Sequence, residues 1–95
     1  MAAYVIASVD VQDPTVFEEY RRRVPETVAR HGGRFLVRAG AHETLEGGWR
    51  PARLVVLEFP SLEQARRWYD SEDYREPKAL RMKSALTDAV LVEGV

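Results

Sequence analysis

Few side chains in this sequence suit acid–base or anion-binding chemistry. Glu58 is the first, because it interrupts the otherwise apolar run LVVLEF from Leu54 to Phe59. A carboxylate among aliphatic neighbours loses hydration, which raises its pKa and suits it to move a proton near neutrality. The alternative is an ion pair with Arg34, Arg38 or Arg53 that only fixes strand register. Arg38 is expected on the same strand face as Arg34 and Leu36. There its planar guanidinium can hold a carboxylate ligand through two hydrogen bonds, or bridge to Glu58. His31 and His42 are the only imidazoles. His31 stands beside Gly32 at a helix end, where a cation is favoured. His42 follows Gly40 in a connection and is a candidate general base. Neither histidine has a nearby nucleophile or a metal-ligand spacing such as His-x₃-His, so no metal site is expected.

Aromatic residues supply the other candidates. Trp68, Tyr69 and Tyr74 cluster around a helix break, and Trp49 lies in the same connection as His42. Rings with one polar end suit a small-molecule pocket. Trp68 reads as core, whereas Tyr69, Tyr74 and Trp49 read as ligand-binding candidates alongside Arg38. Gly32-Gly33 and Gly47-Gly48 read as turn glycines rather than a phosphate cradle. Arg21-Arg22-Arg23 and Arg66-Arg67 face Glu18, Glu19 and Glu63 and read as solvated helix surfaces. Ser8 and Asp10 are polar intrusions without a recognisable partner. No cofactor is expected.

These groups must be positioned by a short series of elements. Ala3 to Val11 is rich in β-branched residues and reads as a strand. Asp13 and Pro14 then open a helix, as N-cap and first residue. From Thr15 to about Arg30, Phe17, Tyr20, Val24 and Val28 recur at helical spacing. Pro25 removes a backbone donor from that helix and predicts a kink near Arg21 to Val24. Arg34 to Ala39 and Arg53 to Phe59 are the second and third strands, joined by a long hairpin connection. Ser61 and Gln64 form a capping box for a helix to about Asp70. Ser71 caps a further helical stretch that is expected to bend or restart at Pro77 before Ala79 to Ala85. Thr87 to Glu93 is the last strand. The order is β-α-β-β-α-β, an α+β ferredoxin-like domain over residues 1–95 with a four-stranded antiparallel sheet.

Composition narrows the class. The 95 residues are 45% hydrophobic and 31% charged, with a formal net charge of −1. That balance gives no drive toward nucleic acid or an anionic membrane. Without cysteine there is no disulfide and no thiol nucleophile. The opening MAAYVIASVDVQD has no basic n-region, and no apolar run approaches a membrane span, so the cytoplasm is expected.

The strands are apolar on both sides. Ala3, Val5, Ala7, Val9 and Val11 point one way, Tyr4 and Ile6 the other; Val55, Leu57 and Phe59 oppose Leu54 and Val56. Helices on one face leave the second face open, and an apolar sheet must be covered on both. A second copy packing sheet to sheet is the expected partner.

The segments His31-GGRFLVRAG-Ala41, Gly48-WRPARLVVLEFPS-Leu62, Ala65-RRWYDSEDYR-Glu76 and Ala79-LR-Met82, with the closing VLVEGV, resemble the domain of unknown function 1330 family. Ala39 departs from the pattern, where family members often carry glycine, as do Pro77 and Lys83. The resemblance implies a ferredoxin-like protomer in a dimeric α/β barrel and assigns no activity. The expectation is a homodimer that binds a small organic ligand between sheet and helices. The alternatives are a cofactor-independent isomerase or oxygenase, with Glu58 or His42 moving a proton and Arg38 or Tyr74 steadying an oxyanion, and a purely structural dimer.

Overall fold

The computed structural model describes residues 1–95. The elements run β1 (Ala3–Val11), α1 (Pro14–Arg30), β2 (Arg34–Arg38), β3 (Leu54–Phe59), α2 (Leu62–Tyr69), α3 (Glu72–Ser84) and β4 (Ala85–Glu93). The strands form one antiparallel sheet in the order β2-β3-β1-β4. This is the ferredoxin-like α+β arrangement expected from the sequence, with its second crossover made of two helices.

Local chemistry explains the helix ends. Asp13 Oδ1 accepts from the Val16 amide at 3.2 Å and Pro14 opens α1. Ser61 Oγ accepts from Gln64 N at 3.1 Å, but Gln64 turns its own oxygen to Arg67 Nη1. Half of the expected capping box therefore forms. Ser71 Oγ accepts from Tyr74 N at 3.2 Å and donates to the Trp68 carbonyl at 2.7 Å, holding α2 and α3 at their junction. α3 is one helix running through Pro77, which is buried, and does not restart there.

α1 also continues through Pro25. Proline has no N–H, so the Arg21 carbonyl four residues back loses its helical donor. Arg38 Nη2 supplies one at 2.7 Å, tying β2 to α1 at the point where the helix cannot satisfy itself. Beyond α1, Gly32 turns the chain at φ +75°. Gly33 then passes so close to the Phe59 ring that a Cβ would lie 2.5 Å from it. No larger residue fits there without moving that ring.

Register decides which side chains share a face. On the inner face, Ala7 lies between Val55 and Ala89, Val5 between Leu57 and Leu91, and Ala3 between Phe59 and Glu93. A bulge between Phe35 and Val37 changes the alternation of β2: Arg34 pairs with Glu58, Phe35 with Leu57, Val37 with Val56 and Arg38 with Val55. Arg34 is thus outward and Arg38 inward. The expectation that they share a face is corrected, because the extra residue flips everything after it.

The core lies between the inner face and the helices. Val24, Val28, Leu57, Phe59, Ala65, Trp68 and Tyr74 form its main cluster, and Val9, Phe17 and Ala85 a smaller one. The outer face carries Ile6, Leu54, Val56, Leu86, Val90 and Val92 with no helix over it, and Val90 is 61% exposed.

Candidate functional site

A cavity of about 60 Å³ lies between the inner sheet face and the helices. Its floor is small because Ala7 and Ala89 are neighbours in the sheet, flanked by Val5, Val9 and Val55. Its walls are aromatic. Phe17 and Tyr20 from α1, Trp68 and Tyr69 from α2 and Tyr74 from α3 all line it. Trp68 stacks on Tyr74 with centroids 4.1 Å apart, and its Nε1 donates to Thr27 Oγ1 at 3.0 Å. Thr27 in turn donates to the Val24 carbonyl at 2.8 Å, so the indole is fixed on two sides.

Three polar side chains of this apolar space meet at one point. The Tyr20 and Tyr74 hydroxyls lie 3.1 Å apart, and Arg81 Nε donates to the Tyr74 oxygen at 3.4 Å. Burial, with a further contribution from Tyr74, pushes the Tyr20 phenol far above its ordinary pKa, so it remains a neutral O–H donor. Arg81 is 8% exposed and has no carboxylate within ion-pair distance. Arg53 lies over the Phe17 ring at 5.2 Å, and its buried Nε has no hydrogen-bond partner. Burial first, then Arg21 and Arg38, lower its pKa, but an arginine stays charged throughout the physiological range. Thr87 Oγ1 is also buried without a partner. Thr87 pairs with Val9 from one side, and the Val9 amide donates to the Arg53 carbonyl at 2.8 Å on the other, so the two orphaned groups flank Val9 from opposite strands.

The structure sorts the residues singled out by sequence. Arg38, Tyr69 and Tyr74 line the cavity. Arg38 packs its guanidinium 4.7 Å over the Phe35 ring, and Lys78 Nζ sits 4.1 Å over Tyr69. Glu58 lies on the opposite face of the sheet. Its carboxylate accepts from Arg34 Nε at 2.7 Å and from the Tyr4 hydroxyl at 3.2 Å. Those bonds hold its pKa below the usual glutamate value, the Arg34 bond most of all, and outweigh the opposing effect of burial. Of the two readings the sequence leaves open, the ion pair is the one that forms, with Arg34, and the carboxylate faces away from the cavity.

His42 is also away from the cavity. It is exposed, and its Nε2 and Nδ1 approach the Pro51 and Gly40 carbonyls at 2.8 and 3.3 Å, closing the connection on itself. Trp49 is 61% exposed and borders a separate depression with Ile6, Ser8, Asp88 and Val90 on the outer side. His31 Nδ1 donates to the Thr27 carbonyl at 2.9 Å, as a helix-end cap does. No group of three or more His, Asp or Glu side chains converges anywhere in the fold. No helix is long and apolar enough to cross a membrane.

Tyr20, Arg53, Arg81 and Thr87 are the cavity groups that sequence reasoning passed over as ligand-facing. One signal was present: Tyr74, Pro77, Arg81 and Ser84 follow helical spacing on α3, which sets an arginine in the buried stripe.

The fold is shared with solved structures. The chain is similar to RPA0582, a protein of unknown function from Rhodopseudomonas palustris, with a TM-score of 0.79 and 15% identity, covering 99% of this chain and 82% of that one. It is similar to SnoaB, a cofactor-independent oxygenase from Streptomyces nogalater, with a TM-score of 0.65, 15% identity and coverage of 99% and 92%. A protein proposed as an antibiotic biosynthesis monooxygenase in Caulobacter crescentus gives a TM-score of 0.69, 14% identity and coverage of 99% and 90%. Identities this low speak to the fold alone. No curated protein matches the chain. The family model for the domain of unknown function 1330 matches residues 2–95, and the chain belongs to that family.

Proposed function

We propose that this protein is a cytoplasmic homodimer, joined through its outer sheet faces, in which each protomer holds a small organic ligand between sheet and helices. The single observation that supports the ligand most strongly is the aromatic-walled cavity, whose alanine floor leaves space where larger residues would close the core. The open apolar outer face, with Leu86, Val90 and Val92 all exposed, supports the dimer.

The test is a screen of small acids, amides, alcohols and aromatics by thermal unfolding, followed by amide chemical shifts. Binding compounds are expected to raise Tm and to shift the amides of Ala7, Val55 and Ala89. No stabilisation by any compound, with those amides unmoved, would overturn the reading.

A second reading, a cofactor-independent oxygenase or isomerase, takes support from the shared fold with SnoaB, which is described as such an oxygenase. The cavity lining contains arginines and tyrosines but no carboxylate, imidazole or lysine. A reaction there has no side chain that is a base at neutral pH, and would depend on a substrate acidic enough to ionise against Arg81 and the tyrosine hydroxyls. That imbalance favours binding over turnover.

A further inference from the structure

Resting on the reading of the cavity as a ligand site, we infer that its ligand is a small organic anion, a short-chain carboxylate or an acid of similar size, gripped by Arg53 and Arg81. A guanidinium taken out of water normally brings a counter-ion or a full set of acceptors with it. Arg81 is almost wholly buried, yet its one hydrogen bond within the chain runs to a tyrosine hydroxyl. Arg53 buries Nε without any acceptor. The carboxylate that acts on Arg53 from a distance is Glu18, and Glu18 is engaged by Arg21 Nε at 3.1 Å on the solvent side of α1. The cavity lining thus carries positive charge and free donors with no anion of its own.

Donor geometry points the same way. Thr87 Oγ1, which lines the same cavity, is buried with no partner, and the Tyr20 and Tyr74 hydroxyls share one hydrogen bond between them, so a proton is left over for a ligand. Arginine forks, a threonine hydroxyl and a phenol all donate to oxygen. A carboxylate presents two acceptor oxygens and the charge that the arginines lack. A neutral ligand would leave the charge unmatched, and a cationic one would be repelled.

Size narrows the class further. Each water-sized group takes about 10–15 Å³ of such a cavity, so the space of about 60 Å³ holds about four to six non-hydrogen atoms. The rest of the lining is aliphatic and aromatic, which matches a short hydrocarbon tail. An acid of two to four carbons matches both the charge and the space.

Crotonate and its amide, crotonamide, test this, since the two differ in charge while their shapes are nearly the same. Titrations of the intact protein, read by amide chemical shifts, are expected to give crotonate at least a tenfold lower Kd than crotonamide. Arg53→Met is expected to cut that preference severalfold, with Arg81 left to supply the remainder. Arg53 borders solvent on one side, so this variant tests the claim even where Arg81→Met fails to fold. Equal affinity for acid and amide would overturn the anion assignment and leave the ligand site standing. So would binding by other compounds of the broader screen with crotonate silent. An undiminished preference for crotonate in Arg53→Met would overturn the assignment to this arginine. Silence of every compound would remove the ligand site itself.

Discussion

Ala39 sits at φ 60°, in the left-handed region, immediately after β2. An L-residue there carries a penalty of roughly 1–2 kcal/mol, part of which glycine returns through its greater freedom when unfolded. Ala39→Gly is therefore expected to stabilise the fold by about 0.5–1 kcal/mol, measured by urea unfolding with an unchanged m-value. A loss of stability would mean that the strand end is held by something other than backbone geometry. The departure of Ala39 from the glycine expected by resemblance thus has a physical cost that sequence alone could only flag.

Glu58 yields a second prediction at this scale. Its pKa is lowered on folding, so the native state binds that proton less readily than the unfolded chain does. The contribution of the pair with Arg34 is fully present above the ordinary glutamate value of about 4.3 and is lost as pH falls below it. The stability difference between the parent protein and Glu58→Gln should be level from pH 8 to about pH 5 and shrink toward pH 3. Ligand affinity should be unchanged, because the side chain faces the other side of the sheet. A difference that grows on acidification, or lost binding, would contradict the placement. That Glu58 was either buried or paired was legible in LVVLEF. Which of the two holds depended on Arg34 and Tyr4, which reach it only through strand pairing.

Among the elements, caps and strands were largely legible because Asp13, Pro14, Ser61, Ser71 and the Gly32-Gly33 pair act within a few residues of themselves. The interior prolines act beyond their own turn: at Pro25 the freed Arg21 carbonyl is met by Arg38, and at Pro77 the helix runs on without the restart that was one of two expectations. The bulge in β2 was likewise invisible, since nothing in RFLVRA marks Leu36 as the unpaired residue, and with it went the facing of Arg38. The candidate site was legible in its aromatics and only partly in its charges, because Arg53 and Arg81 reach one cavity from separate places, beside β3 and on α3.

The element that makes room for a ligand is the sheet centre, where Ala7 and Ala89 are paired. Ala7→Leu places three more carbons into about 60 Å³ of space. It is expected to leave Tm unchanged or a few degrees higher, while weakening any ligand by at least tenfold, in thermal unfolding and titration respectively. Binding at full strength in this variant would locate the ligand elsewhere.

At the scale of the whole molecule, the sheet has two apolar faces with different coverings. Its inner side is roofed by three helices and retains a small cavity. Its outer side presents Ile6, Val56, Leu86, Val90 and Val92, interrupted by the Glu58, Arg34 and Tyr4 cluster and by Asp88. No segment of the chain lies over it apart from the connection carrying Trp49. Two copies that close such faces on each other would bury a patch in the range of stable interfaces, roughly 1,200–2,000 Å² in total. The polar cluster would then fix how the two sheets align, since an ion pair sealed in the wrong register loses its partners.

Sedimentation equilibrium at micromolar concentration tests that division of labour most directly. A particle of twice the 10.8 kDa chain mass is expected, falling to the single chain when Val90 is changed to lysine. A folded, soluble particle of 10.8 kDa for the parent protein would contradict it.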